Sequence, residues 1–264
     1  CRLTQEQYGR CRARKNSKGK IISINYGKIT GLMLDPIEKK PLRRFCPGSR
    51  ILSVGSFGCN LACPFCQNYE ISMTGEPEAE YREISPEELD GLAREYKKYG
   101  NIGLAFTYNE PLVGYEFVRD TAKLVREHGM KNVLVTNGSA ELEILEELLP
   151  YIDAMNIDLK GFTEAYYRKL GGDLETVKRF IRRSAEACHV ELTTLILPGE
   201  NDSEKEMEEE AKWIASIDPD IPLHVTRFFP RYKMTDRQAT EVGKVYRLKE
   251  CAEKNLKYVY TGNC

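Results

Sequence analysis

The stretch GCNLACPFCQN, residues 58–68, places Cys59, Cys63 and Cys66 within eight residues in the spacing C-x3-C-x2-C. Thiolates are soft ligands that favour zinc, copper(I) or iron–sulfur clusters. A closed zinc site usually takes four protein ligands, and no nearby His or Cys supplies a fourth. Three thiolates leave one iron of a [4Fe-4S] cluster open, which is typical of a catalytic centre. The spacing therefore predicts a catalytic cluster site, with a zinc knuckle or three buried thiols as alternatives.

Composition and charge are those of an ordinary globular protein. The chain has 264 residues, 41% of them apolar, which is enough for one large domain or two small ones. Its 39 basic and 40 acidic side chains give a net charge of −1, so we expect no nucleic-acid partner. No apolar run approaches the roughly 20 residues that span a bilayer, so we expect no membrane partner.

The cysteines also indicate the compartment. Nine is an odd number, and three of the nine crowd one loop, so a reducing cytoplasm is expected rather than a disulfide framework. The sequence begins at Cys1 rather than Met and no signal-like segment follows, and a chain trimmed at its ends is one interpretation that the sequence leaves open. Cys46, Cys188 and Cys251 have no partner at metal-ligand spacing and are predicted to be core or surface thiols.

Residues 1–50 are predicted to be an N-terminal extension that lies against the rest of the chain, because they carry too little apolar sequence to fold alone. Residues 20–24 and 28–34 alternate polar and apolar around Asn25-Tyr26-Gly27. This pattern predicts a β-hairpin. The basic cluster at residues 10–20 is interpreted as a solvated face rather than a phosphate site.

From residue 51 onward, strand-like apolar runs alternate with helical patterns. The predicted strands are 51–54, 102–106, 132–136, 154–159, 190–197 and 223–229, with a short last strand at 258–260. The predicted helices are 86–99, 112–128, 141–149, a helical region to 187, 203–217 and 235–254. Alternating βα units imply a parallel sheet with right-handed crossovers. Residues 51–264 are therefore predicted to form an α/β domain, a partial (β/α)6 TIM-like barrel, since a full barrel takes about 250 residues.

Parallel α/β barrels place their active sites at the C-terminal ends of the strands. Polar side chains stand at these ends in the predicted barrel: the three cysteines, Glu110, Asn137, Asp158, Lys160, His224 and Arg227. Asp158 and Lys160 share one side of a strand, which suits a common site, although a cross-strand salt bridge is the alternative. His224 is the best histidine for function, with an interior structural role as the alternative.

Phe65 directly precedes Cys66, which gives C-x3-C-x-aromatic-C. This motif resembles the signature of the radical S-adenosylmethionine (SAM) superfamily. The resemblance implies that Cys59, Cys63 and Cys66 hold a [4Fe-4S] cluster whose fourth iron binds the amino and carboxylate groups of SAM. It also implies reductive cleavage of SAM to a 5′-deoxyadenosyl radical, with an electron from an external donor such as flavodoxin or ferredoxin.

Further segments extend the resemblance. Residues 107–111, TYNEP, stand where many members carry Gly-Gly-Glu-Pro, whose edge binds the SAM amino group. Tyr108 and Asn109 replace both glycines, and Asn109 is expected to substitute because Asn tolerates unusual φ and ψ. Residues 133–138 and 156–160 are similar to motifs of glycyl-radical-enzyme activases, in which the Lys pairs with the SAM carboxylate. The resemblance implies SAM contacts from Phe65, Gln67, Asn109, Glu110, Asn137, Asp158, Lys160, Leu197 and Arg227.

A narrower resemblance covers nearly the whole chain. The segments LDPIEKKPL, PGSR, CNLACPFCQN, TYNEP, VTNG, MNIDLKGF and PLHVTRFFPRYKM occur in that order. Together they resemble the AmmeMemoRadiSam-system radical SAM proteins, relatives of pyruvate formate-lyase activating enzyme. The resemblance implies protein partners encoded with the chain and extra cysteines at its ends, consistent with Cys1, Cys11 and Cys264. Tyr232 stands near a SAM-contacting His of the activase, a departure that argues against simple transfer of the activase role.

These observations predict a radical SAM enzyme that abstracts hydrogen from an unidentified protein or small molecule. One alternative is an activase that generates a glycyl radical on a partner enzyme. The other is a non-catalytic, metal-binding module that docks a partner through the cysteine loop.

Overall fold

A computed structural model describes residues 2–264, so the expectation for Cys1 lies outside the described residues. The strands are β1 Arg14–Ser17, β2 Lys20–Ser23, β3 Lys28–Ile29, β4 Gly31–Pro36, β5 Arg50–Gly55, β6 Arg82–Glu83, β7 Asn101–Phe106, β8 Lys131–Thr136, β9 Ala154–Asp158, β10 His189–Ile196, β11 Leu223–Arg227 and β12 Val259–Gly262. The α-helices are α1 Tyr69–Ser72, α2 Pro86–Glu95, α3 Tyr115–Glu127, α4 Leu142–Leu148, α5 Glu164–Leu170, α6 Leu174–Ala185, α7 Glu204–Ala215 and α8 Val242–Glu253. Short 3-10 helices span Ile37–Lys39, Tyr96–Tyr99 and Pro111–Gly114.

The central sheet has the order β12-β11-β10-β9-β8-β7-β5-β4 within the described part of the chain. All neighbours from β5 to β12 pair in parallel, and β4 is antiparallel to β5. The six main strands begin within one residue of the predicted starts at 51, 102, 132, 154, 190 and 223. The predicted α/β fold is confirmed: a mostly parallel sheet in a partial TIM-like barrel.

The predicted hairpin around Asn25-Tyr26-Gly27 is wrong. A hairpin does form, but it joins β1 to β2, while β3 pairs with β6 and β4 pairs with β5. Gly27 instead accepts a hydrogen bond from the backbone of Ile84. The edge of β5 offers β4 a six-residue ladder, which is longer than the local turn could provide.

The helix predictions differ from the structure mainly at their ends. The capping box of Ser85 and Glu88 opens α2 as predicted. Helix α8, in contrast, begins at Val242 rather than at residue 235. The hydroxyl of Thr240 donates to the carbonyl of Ile196 and accepts from the backbone of Phe228, which holds the preceding residues as a loop. Among residues 2–264, no helix is both long and apolar enough to span a membrane.

Residues 37–45, which we call the strap, cross the sheet on the face opposite the helices. Ile37 and Leu42 of the strap are fully buried there. They pack against inward-facing side chains of β5, β7, β8 and β9, namely Ile51, Ala105, Val133 and Ala154. The strap thus closes one end of the barrel interior with its own apolar side chains.

A buried carboxylate on β10 fixes the far end of the strap. Glu191 accepts hydrogen bonds from the backbone N–H of Arg43 at 3.0 Å and of Arg44 at 2.7 Å. It also accepts from His189 at 3.0 Å and His224 at 2.7 Å. Burial alone would raise the pKa of Glu191, but the four donors outweigh it and lower the pKa to about 2.

A second carboxylate fixes the near end. Asp35 accepts hydrogen bonds from the ammonium groups of Lys39 at 3.2 Å and Lys40 at 2.9 Å, and from the hydroxyl of Tyr108 at 2.7 Å. Burial opposes ionisation, yet these bonds lower the pKa of Asp35 to about 2. Between the two ends, the side chain of Asn156 donates to the carbonyl of Pro41 at 3.0 Å. Buried polar groups of the sheet therefore hold the strap along its length.

We expect Glu191→Gln to destabilise the chain at neutral pH. The pKa of Glu191 falls from 4.5 to about 2 on folding, which corresponds to about 3 kcal/mol of stability. A depressed pKa stabilises the folded state above the unfolded value, and this contribution disappears as the pH falls from about 5 towards 2. Urea unfolding at pH 7 and pH 3 should therefore show a difference between the two proteins that shrinks in acid. Glu250→Gln, at an exposed site on α8, is the control, and an equal effect of both changes would contradict the assignment.

Candidate active site

A single cavity of ≈ 550 Å³ lies at the C-terminal ends of the strands. The cysteine loop, residues 59–68, forms one wall, and the strap and the end of β12 form the opposite one. Ten of the twelve predicted site residues line this cavity: Cys59, Cys63, Phe65, Cys66, Gln67, Asn109, Glu110, Asn137, Asp158 and Lys160. The structure thus brings together residues that are up to 101 positions apart in the sequence, Cys59 and Lys160.

Backbone hydrogen bonds from several segments fix the cysteine loop. Gly58 has φ +89°, and a Cβ there would lie 2.4 Å from the carbonyl oxygen of Cys11, so glycine is required. The N–H of Cys59 donates to that same carbonyl at 3.1 Å, and the N–H of Ala62 donates to Leu170 at 2.9 Å. On the other side, the N–H of Lys233 donates to Pro64. The loop is therefore held in place by the N-terminal segment, α5 and the segment after β11.

The surroundings of Cys59 and Cys63 disfavour the unaided ionisation of these two thiols. Burial raises the pKa of Cys63 to about 11. Burial, and then the nearby Glu110 carboxylate, also raise the pKa of Cys59. Thiols of this kind become thiolates when a metal centre supplies the compensating positive charge.

The donor set fits a three-thiolate cluster. Within residues 2–264, no three His, Cys, Asp or Glu side chains converge on the position of one metal ion. The ligands of a cubane cluster bind different irons and stand around it, so they need not converge on one point. The three thiols share one cavity wall and are packed against the same apolar cluster as Leu61 and Phe65.

Asn137 connects the end of β8 to the cysteine loop. Its side-chain amide donates to the sulfur of Cys59 at 3.7 Å and to the side-chain oxygen of Asn60 at 2.8 Å. The backbone N–H of Leu61 also donates to the Cys59 sulfur, at 3.4 Å. Hydrogen bonds to ligand sulfurs are one means by which proteins set cluster potentials.

Glu110 is a fully buried acid in the same wall. Its carboxylate accepts from the Thr136 hydroxyl at 2.6 Å and from the backbone N–H of Asn137 at 2.8 Å and Leu112 at 3.0 Å. Burial outweighs these donors and raises the pKa of Glu110 to about 7. Among the described residues, no ion pair neutralises this carboxylate, so a cationic group of a ligand would stabilise its ionised form.

The expectation that Asn109 adopts the unusual backbone conformation is wrong, because Tyr108 adopts it, with φ +73°. Asn109 acts through its side chain instead. Its amide donates to the carbonyls of Phe57 and Gly58, both at 3.1 Å, and its oxygen accepts from the N–H of Ser56 at 2.9 Å. Asn109 thus braces the residues that lead into the cysteine loop.

Asp158 and Lys160 form an ion pair of 2.7 Å at the end of β9. The Lys160 side chain is 16% exposed and faces the cavity. Burial works to lower the pKa of Lys160, but the Asp158 carboxylate outweighs it and the pKa is raised. Asn201 donates to the carbonyl of Lys160 at 2.8 Å and fixes the backbone there. The cavity wall therefore presents a charged ammonium as well as the Glu110 carboxylate, a pair that complements a zwitterion.

Leu197 and Arg227 do not line this cavity. Leu197 packs behind the cysteine loop against Phe65 and lines a separate cavity of ≈ 300 Å³. Arg227 donates from Nε to the carbonyl of Thr240 at 2.6 Å and lies 4.7 Å from the centre of the Phe229 ring. Both residues position neighbouring loops.

The remaining sequence candidates have structural contacts. Tyr232 stacks on Tyr69 with ring centres 4.6 Å apart, outside the main cavity. Cys11 is buried and Cys264 is exposed. His128 ends α3 and contacts Asp90.

The sequence analysis did not identify several residues of the cavity wall, among them Tyr108, Lys39 and Arg43. Tyr108 was considered only as a replacement for glycine, and Lys39 and Arg43 were assigned to an extension. The signal that could have identified Lys39 and Arg43 is the run EKKPLRR, residues 38–44, in which charged residues flank the buried Leu42. Such a run is easily interpreted as a solvated face when its neighbour in the fold is unknown.

Known proteins are similar to this chain in sequence and in fold. The radical SAM superfamily model matches residues 53–211, which is more than half of the chain. An uncharacterised protein of Methanocaldococcus jannaschii is 39% identical over 266 residues, covering all of this chain and 78% of that protein. A probable GTP 3′,8-cyclase of Methanosarcina acetivorans is 29% identical, over 72% of this chain and 56% of that protein.

Two further comparisons are more distant. The pyruvate formate-lyase 1-activating enzyme of Escherichia coli is 25% identical, over 60% of this chain and 65% of that protein. The crystal structure of Streptococcus suis SuiB bound to S-adenosylmethionine has a TM-score of 0.64 at 15% identity, over 81% of this chain and 52% of that chain. At 15% identity, the similarity to this structure supports a shared fold and nothing more. From the match over residues 53–211, the chain belongs to the radical SAM superfamily of enzymes.

Proposed function

We propose that Cys59, Cys63 and Cys66 hold a [4Fe-4S] cluster and that the adjoining wall binds SAM. The superfamily implies both cofactors. When bound, they supply reductive cleavage of SAM and a 5′-deoxyadenosyl radical that abstracts hydrogen from a substrate. The observation that carries the proposal is the single cavity that contains three thiols, a buried carboxylate and a charged ammonium.

In this proposal, different residues of the cavity wall bind different groups of SAM. Glu110, buried and without a cationic partner in the described chain, accepts from the SAM ammonium. Lys160 donates to the SAM carboxylate, and Asp158 keeps Lys160 charged when SAM is absent. Phe65, Gln67, Asn109 and Asn137 complete the wall beside the thiols. This arrangement places opposite charges of the protein against opposite charges of the ligand.

The narrower assignments are also proposals. The order of segments along the chain supports the AmmeMemoRadiSam-system family and protein partners encoded with the chain. The superfamily chemistry supports an electron donor such as flavodoxin or ferredoxin. The odd number of cysteines, three of them in one loop, supports a cytoplasmic location. Activation of a glycyl-radical enzyme is a second candidate, supported by the Escherichia coli relative. Incubation of the reconstituted enzyme with a candidate partner tests it, because an activase leaves a glycyl radical that electron paramagnetic resonance detects. The non-catalytic alternative is set aside, because the superfamily consists of enzymes.

Anaerobic reconstitution with iron and sulfide tests the proposed chemistry. The wild-type protein should become brown and should form 5′-deoxyadenosine from SAM and dithionite. Changing Cys59, Cys63 or Cys66 to Ala should abolish the cluster absorbance and SAM cleavage, because each thiolate holds a different iron. Cluster retention should also weaken in acid, since protons compete with iron for the thiolates.

Cys46→Ala is the matched control for these three variants. Cys46 is exposed and does not line the cavity, so its variant should retain iron and SAM cleavage. Full iron content in all three loop variants would contradict the cluster assignment.

Lys160→Ala should bind the cluster normally and SAM weakly. Removing the ammonium leaves the SAM carboxylate without its donor and leaves Asp158 without its partner, 2.7 Å away. We expect a loss of roughly 2–5 kcal/mol in SAM binding, the usual range for truncating one member of a buried charge pair. Lys160→Arg should recover little affinity, because a planar guanidinium differs from a compact ammonium. The measurement is equilibrium binding of SAM to the reconstituted variant.

Lys205→Ala provides the control, because the Lys205 side chain is 87% exposed on α7. SAM affinity should be the same in this variant and the wild type. If Lys160→Ala also binds SAM with unchanged affinity while its cluster is intact, Lys160 does not belong to the SAM site.

A further inference from the structure

The cavity extends beyond the residues assigned to the cluster and SAM. Its outer part is lined by Lys39 and Arg43 of the strap and by the end of β12, residues 261–263. Inward-facing side chains of β10 and β11, Thr193, His224 and Thr226, form the floor between these two sides. The strap follows β4, and β4 and β12 are the edge strands of the described sheet. The outer part of the cavity therefore lies on the open side of the barrel.

Most charged groups in the cavity wall already have partners. Lys160 pairs with Asp158, and Lys39 pairs with Asp35. The Glu38 carboxylate accepts from the N–H of Gly48 at 2.7 Å. The guanidinium of Arg43, in contrast, has no hydrogen bond or ion pair with any residue in the range 2–264; only its backbone N–H is bonded.

The backbone that carries Arg43 is fixed. The N–H groups of Arg43 and Arg44 both donate to the buried carboxylate of Glu191. Two residues earlier, the carbonyl of Pro41 accepts from Asn156 at 3.0 Å. Arg43 is exposed to solvent and lines the cavity, but it extends from a braced segment, which limits the ordering cost of binding a ligand.

We propose that the outer cavity is the substrate site and that Arg43 binds an anionic group of a small polar substrate, a carboxylate or a phosphate. The assignment rests on the proposed function of the inner cavity. A guanidinium presents parallel N–H donors that match both anions in a bidentate geometry. Lys39 adds positive charge at the same edge of the cavity. The nearby negative charge of Glu191 is offset by its four N–H donors. Of the floor hydroxyl groups, that of Thr193 is already paired with Asn156. The Thr226 hydroxyl donates to the carbonyl of Thr194 and can still accept a hydrogen bond from the polar remainder of the substrate.

The test is an equilibrium titration of the reconstituted enzyme with saturating SAM present, so that the SAM carboxylate site is filled. Inorganic phosphate is the probe in one arm and succinate in the other, and calorimetry measures binding. The preferred anion distinguishes a phosphorylated from a carboxylated substrate. The proteins compared are the wild type, Arg43→Gln, Arg43→Lys and Arg50→Gln. Arg50 is exposed and outside the cavity, so its variant makes the same charge change elsewhere.

We expect saturable binding of at least one anion by the wild type and by Arg50→Gln. Arg43→Gln should weaken it roughly 10- to 100-fold, the range for losing a hydrogen bond to a charged group. Arg43→Lys should bind the anion more tightly than Arg43→Gln and less tightly than the wild type, because lysine keeps the positive charge but lacks the parallel N–H donors of the guanidinium. Arg43→Gln keeps the backbone N–H that Glu191 accepts, so the strap remains braced.

Equal affinities in Arg43→Gln and Arg50→Gln would overturn the inference, as would the absence of saturable binding of either anion by the wild type. The same preparations report separately on the proposed function through 5′-deoxyadenosine formation by the wild type. SAM cleavage without Arg43-dependent anion binding refutes the substrate site alone. Arg43-dependent anion binding without SAM cleavage supports the anion site and refutes the proposed function alone.

Discussion

The four hydrogen bonds to Glu191 are the interaction on which the shape of the cavity depends. The parallel sheet ends at β12 on one side and at the antiparallel strand β4 on the other, so its interior needs a cover. The strap provides that cover, but it brings two backbone N–H groups, those of Arg43 and Arg44, against the sheet interior. Buried N–H groups without acceptors cost about as much as a lost hydrogen bond each. One ionised carboxylate satisfies both, and the two histidines supply its remaining donors. The strap can therefore stay in place and still leave an open cavity beside it.

A second set of contacts connects the strap to the cysteine loop through Tyr108. Its hydroxyl donates to Asp35 of β4, two residues before the strap, and its carbonyl accepts from Asn68 at the end of the cysteine loop, at 2.7 Å in both cases. The next residue, Asn109, holds the carbonyls of Phe57 and Gly58. Tyr108 has a positive φ, a conformation that costs of order 1–3 kcal/mol in a residue other than glycine and persists when surrounding contacts determine it. The contacts on both sides of Tyr108 meet that requirement. Tyr108 and Asn109, which follow β7, therefore connect the strap to the cysteine loop. A displacement of the strap would for this reason also displace the loop that carries the thiols.

The sequence predicts the parts of this structure that depend on local periodicity. The strand starts follow from β-branched apolar runs such as VLVT, residues 133–136. Asp158, the last residue of β9, faces the cavity as alternation along the strand predicts, and Lys160, two residues beyond the strand, lines the same cavity. The same rule separates Arg227 from His224 and Thr226, which point inward, and applying it to β11 would have removed Arg227 from the site. Leu197 lies one residue beyond β10, where the chain has turned and alternation no longer applies. The role of Glu191 could not be predicted, since two of its four donors are backbone groups 148 and 147 positions away and a third, His224, is 33 positions away. The pairing of β4 with β5 could not be predicted for the same reason, because it depends on a free strand edge that no local sequence pattern indicates.

The buried carboxylates of the barrel show how structural and ligand-binding acids differ. Asp35 and Glu191 have protein donors for their charge, and the pKa of each falls to about 2. Glu110 and Glu210 are buried with fewer compensating contacts, and their pKa values rise to about 7 and about 8. A raised pKa alone does not mark a site, because Glu210 lies on α7 against the hydroxyl of Thr194, away from the cavity. Glu110 differs from it in position: it stands in the cavity wall, adjacent to Asn137 and near the Cys59 thiol. Burial there lowers the dielectric, so a ligand ammonium would gain more from this carboxylate than it would in water. Asp35 and Glu191, which hold the strap, thus have protein donors that stabilise their ionised forms, whereas Glu110 has no cationic partner within residues 2–264.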